Sequence, residues 1–62
     1  MKYLVAYTER RANAKRHIVV KRFGETHYFN SIDEATSYAH KFDLKKFKVE
    51  ILTENHELVK EM

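Results

Sequence analysis

Four histidines and one Asp–Ser–His grouping are the residues whose types first invite a chemical reading. His17, His27, His40 and His56 are separated by 10, 13 and 16 positions. A metal site borne by one helix or hairpin brings its ligands much closer together in sequence. The chain holds no cysteine, which removes the commonest partner ligand and any disulfide or thiol chemistry. Asp33, Ser37 and His40 supply the residue types of a nucleophilic triad. Their spacing puts them on the polar side of an expected helix, with no strained turn to present a nucleophile. One glycine cannot build a phosphate-cradling loop. The expectation is therefore a non-enzymatic chain without metal or cofactor.

The stronger signal is electrostatic. Residues 10–22 carry Arg10, Arg11, Lys15, Arg16, Lys21 and Arg22 and no acid. The net charge is only +3, because acidic residues cluster elsewhere: Glu25, Asp33 and Glu34, then Glu50, Glu54, Glu57 and Glu61. Local density sets a field more than net charge does. Lysines and arginines at this density neutralise phosphates, and the planar arginine fork also grips base edges. Tyr28 would sit beside Lys21 on an exposed sheet face, where a ring can stack on a base. Tyr3 or Tyr7 joins them if the odd positions of the first strand face outward. Lys45, Lys46 and Lys48 form a second, weaker basic patch after the helix, read in preference as a lysine-rich connection between helix and strand.

The elements that must position these residues follow from periodicity. Residues 3–8 and 18–23 are rich in strand formers. The segment between them is expected to turn near Ala12-Asn13-Ala14, either as a loose loop between strands that stop near residues 8 and 17 or as a ribbon turning at Asn13, so residues 10–22 form a basic β-hairpin. Gly24-Glu25 fits a two-residue turn with glycine at its first central position. That turn pairs Arg22 with His27 and Val20 with Phe29, placing Ile18, Val20 and Phe29 on one face. Ser31-Ile32-Asp33-Glu34 is a capping box that opens a helix over 31–42. Ile32, Ala35, Tyr38, Ala39 and Phe42 form its apolar face. Residues 47–53 alternate apolar with charged, with Phe47, Val49 and Ile51 inward. Residues 54–57 read as a turn, and 58–60 as a short returning strand or a helical turn.

The fold class is α+β: one small domain over residues 1–62, with an antiparallel sheet and one helix on one face, in the order β-β-β-α-β with a fifth strand as an option. A 62-residue chain without disulfides rests on apolar packing alone or on a partner. Four tyrosines and four phenylalanines supply much of it. No apolar run is long enough to span a membrane and no apolar leader block is evident, so a cytoplasmic protein is expected. The run of three strands and a helix over residues 1–42 resembles the small sheet-plus-helix domains that bind DNA at the start of some tyrosine recombinases. No diagnostic motif accompanies it, and the strand after the helix departs from that plan.

Two classes of function compete. The first is a module that binds nucleic acid, DNA or RNA, through Arg10, Arg11, Lys15, Arg16, Lys21, Arg22 and Tyr28. The second is a phage-type inhibitor or adaptor that blocks a host protein or nucleoprotein complex, meeting an acidic protein surface with the same hairpin or presenting an exposed apolar patch. The acidic tail also complements the basic segment of a second copy, so a homodimer is a further association to test.

Overall fold

The computed structural model describes residues 1–11 and 17–62. In chain order its elements are β1 (Tyr3–Glu9), β2 (Ile18–Val19), β3 (Lys21–Arg22), β4 (Glu25–Thr26), α1 (Ile32–Ala39), β5 (Phe47–Thr53) and β6 (Leu58–Glu61). The expected α+β plan is present, and the fifth strand at the C-terminal end is β6 rather than a helical turn. The turn expected at Ala12-Asn13-Ala14 lies outside the described residues.

β1 and β5 are the two long strands and pair antiparallel from Tyr3↔Thr53 to Glu9↔Phe47. β2 and β6 flank them, giving a four-stranded sheet in the order β2-β1-β5-β6. Period-two alternation sends Val5, Val49 and Ile51 to one face, where each is fully buried with Ala35 and Ala39 of α1. The two alanines let the helix sit close to the sheet. Tyr7, Phe29, Tyr38, Phe42 and Phe47 close the sides of this core, with Tyr7 and Phe42 centroids 4.9 Å apart. Tyr3 and Tyr7 therefore pack inward, and neither joins an exposed aromatic face.

The opposite face is also covered at its centre. Leu4, Ala6 and Leu52 are buried there with Val19 against them. Simple alternation assigned β5 only one buried face; Leu52, opposite Leu4, adds the second.

The helix starts as its sequence requires. Ser31 caps it by accepting from the Glu34 N–H at 3.1 Å. Glu34 reaches back to the Asn30 N–H at 3.0 Å, one residue earlier than a standard capping box. The helix ends at Ala39 rather than residue 42, with His40 as its C-cap. Ile32, expected in the apolar face, is 37% exposed because its first-turn position lies beyond the sheet centre that Ala35 and Ala39 reach. No helix among the described residues is long and apolar enough to cross a membrane.

The expected strand over 18–23 is broken at Val20. The Val20 N–H donates to Val5 O at 2.9 Å, while its carbonyl accepts from the His27 N–H at 3.0 Å. The chain thus leaves the edge of β1 and pairs with its own return limb. It rejoins β1 through a bridge between Tyr3 and Phe29. Between these anchors β3 and β4 form a separate two-stranded ribbon.

The ribbon pairs Lys21 with Thr26 and Arg22 with Glu25, so its turn is Phe23-Gly24 and not Gly24-Glu25. Both turn residues have positive φ, +53° for Phe23 and +80° for Gly24, as a type I′ turn demands. Each partner moves by two positions, which preserves the faces, so Val20 and Phe29 remain in the core. A phenylalanine in this left-handed region is strained by about 1 kcal/mol relative to glycine.

Candidate nucleic-acid interface

Arg10 follows β1 directly, and its neighbour across the sheet is the segment entering β5. The Arg10 N–H donates to Lys46 O at 2.8 Å. Its side-chain Nε–H is shared between Leu44 O at 2.9 Å and Phe47 O at 3.2 Å. The backbone contact ties Arg10 to one end of the sheet, and the two Nε contacts orient its guanidinium there. Around it, Glu9, Arg10, Arg11, Lys45, Lys46 and Phe47 line a single concavity. Four cations and one carboxylate face this hollow, and the carboxylate of Glu9 is paired with Arg11 Nε at 3.1 Å. Arg10, Arg11, Lys45 and Lys46 are all exposed.

Sequence order kept these two basic groups apart. Lys45 and Lys46 looked like a solvated connection, and only the β1–β5 pairing shows that they belong with Arg10 and Arg11. Lys48 is engaged elsewhere, 3.2 Å from Glu61. The structure also separates Arg10 and Arg11, at the sheet end, from Lys21 and Arg22, on the β3–β4 ribbon. Lys15 and Arg16 lie outside the described residues.

Lys21 and Arg22 are exposed and form no ion pair among the described residues. The Arg22 guanidinium carbon stands 5.2 Å from the centroid of the Phe23 ring. Phe23 is 91% exposed at the tip of the ribbon. Sequence reasoning missed it as a contact candidate, because economy of burial assigns a small domain's phenylalanines to the core. Two signals were available: the hairpin register, which puts Phe23 on the mixed face with Lys21 and Tyr28, and the adjacent glycine, which marks a turn. Tyr28 is half-exposed on the return limb, two residues beyond Thr26, the partner of Lys21.

The histidines and the Asp–Ser–His grouping are dispersed. His17 meets Glu50 at 3.2 Å, His27 stacks on Phe29 with centroids 4.1 Å apart, His40 caps α1, and His56 turns the chain into β6 with φ +66°. Asp33 and Ser37 line an open groove with His27 and Tyr38, while His40 is not part of its wall. Among the described residues no three His, Cys, Asp or Glu side chains are grouped to hold a metal ion.

No family model, no curated protein and no solved structure matches this chain. The functional reading therefore stands on the geometry above.

Proposed function

We propose that this chain is a non-enzymatic module that binds nucleic acid, with Arg10, Arg11, Lys45 and Lys46 on phosphates at the sheet end and Lys21 and Arg22 on phosphates at the ribbon. The observation that supports it is the convergence, among the described residues, of four cations from two distant segments on one concavity, with the one lining carboxylate among them already paired. A phosphate entering that hollow meets fixed positive charge and displaces condensed counterions from the nucleic acid. A cytoplasmic setting goes with this reading. Six phosphate contacts imply an affinity that falls about 1,000-fold for a duplex and about 300-fold for a single strand between about 50 mM and about 200 mM salt. An electrophoretic shift of a single-stranded and a duplex oligonucleotide across that range tests it, with the triple substitution Arg11→Ala, Lys45→Ala and Lys46→Ala expected to flatten the dependence.

A protein-binding inhibitor or adaptor is the second reading, and exposed Leu58 and Met1 favour it. Protein interfaces bury such apolar side chains within a polar rim. Affinity capture from a host lysate with and without nuclease separates the two. A stoichiometric protein partner that survives nuclease supports the inhibitor; loss of all partners supports the nucleic-acid module.

A further inference from the structure

The β3–β4 ribbon carries a residue that the fold does not need. Phe23 buries almost nothing, being 91% exposed, and occupies a positive φ that disfavours a bulky side chain. Asparagine or aspartate before glycine is the preferred chemistry of a type I′ turn. An aromatic ring held there against local preference, on a projecting tip, has no structural return among the described residues. Its sole aromatic or cationic contact among the described residues is Arg22, placed over one face of the ring. Lys21 and Arg22 immediately precede it, both exposed and free of ion pairs among the described residues.

We infer that Phe23 is a nucleobase-stacking residue and that the ribbon tip selects single-stranded over duplex nucleic acid. This rests on the nucleic-acid reading above and adds its substrate class. An unpaired base offers a π face to an exposed ring directly, and aromatic side chains beside a cationic track are how sequence-tolerant single-strand binders hold their ligands. A duplex offers such a face only after a base step has been opened, at a free-energy cost the single strand does not incur. Lys21 and Arg22 then meet the phosphates flanking the stacked base, and Arg22 adds its own planar contact.

The test compares the full chain with Phe23→Asn and Phe23→Leu, measuring fluorescence anisotropy with a labelled mixed-sequence strand of about 20 nucleotides and with the matching duplex. Phe23→Asn keeps the turn, so a melting temperature at or above that of the unmodified chain confirms folding. The expected result is a 5- to 150-fold weaker single-strand affinity, roughly the range of one lost stack, with an unchanged salt slope and unchanged duplex binding. Phe23→Leu, apolar but without a π face, is expected to behave like Phe23→Asn. If both variants bind the single strand as tightly as the unmodified chain, and binding stays salt-steep, Phe23 stacking is overturned while the nucleic-acid reading stands. If affinity falls equally for strand and duplex, the ring acts as a wedge in duplex and the single-strand selection is overturned. If the unmodified chain binds neither probe at low salt, both readings fall together.

Discussion

The backbone N–H of Arg10 donates to the carbonyl of Lys46 at 2.8 Å, and this contact ties the exit of β1 to the entry of β5. Because β1 and β5 run antiparallel, basic residues following one strand meet basic residues preceding the other. The cationic hollow is thus a product of sheet topology. Like charges brought together in this way repel, so the fold tolerates a destabilising arrangement that an anionic ligand would relieve.

Lys45→Ala with Lys46→Ala should lower the slope of log affinity against log salt for a single strand by about 1.4, since each lost phosphate contact removes about 0.7. Both side chains are exposed, so stability should stay within about 0.5 kcal/mol of the unmodified chain. Salt-titrated anisotropy and urea denaturation on the same sample check the two halves of this expectation.

Arg10 and Arg11 should differ in their effect on folding. Arg10 bridges two backbone carbonyls, and Arg10→Ala is expected to cost about 1 kcal/mol as those acceptors return to water. The Arg11–Glu9 pair is largely solvent-exposed, and Arg11→Ala should change stability by less than about 0.5 kcal/mol. Equal effects in chemical denaturation would contradict the bracing role given to Arg10.

The ribbon turn makes a prediction of opposite signs. Phe23→Asn should stabilise the chain by roughly 0.5–1 kcal/mol, because Asn-Gly suits a type I′ turn better than Phe-Gly. Gly24→Ala should destabilise by about 1 kcal/mol through its φ of +80° alone, since an added Cβ would meet no atom within 4 Å. Thermal melts of the two variants would show one midpoint above and one below that of the unmodified chain.

The helix seat is tight. Ala35 and Ala39 are fully buried between α1 and the sheet, so Ala39→Leu should destabilise by about 1–3 kcal/mol by forcing the helix outward. In a domain of 62 residues that is a large part of the total. A lowered urea midpoint with an unchanged slope would be the expected signature.

Local chemistry made some elements readable. Ser31 and Glu34 mark the helix start, a run of strand formers without a breaker marks β1, alternation marks β5, and the polar run at 54–57 marks the turn in which Thr53 Oγ1 accepts from the Asn55 and Glu57 N–H groups. What escaped was non-local or locally unfavourable. The turn at Phe23-Gly24 was displaced because a phenylalanine at positive φ runs against intrinsic preference. The break at Val20 depends on its N–H and carbonyl finding different partners, which no periodicity encodes. Arg10 and Lys46 are neighbours only once the central strands pair.

The most direct test of the account is the salt dependence of binding by the unmodified chain to a single-stranded oligonucleotide of about 20 nucleotides. The account predicts a measurable complex at about 50 mM salt whose affinity falls about 300-fold by about 200 mM. No complex at the lower salt, or an affinity that does not change across the range, would contradict it.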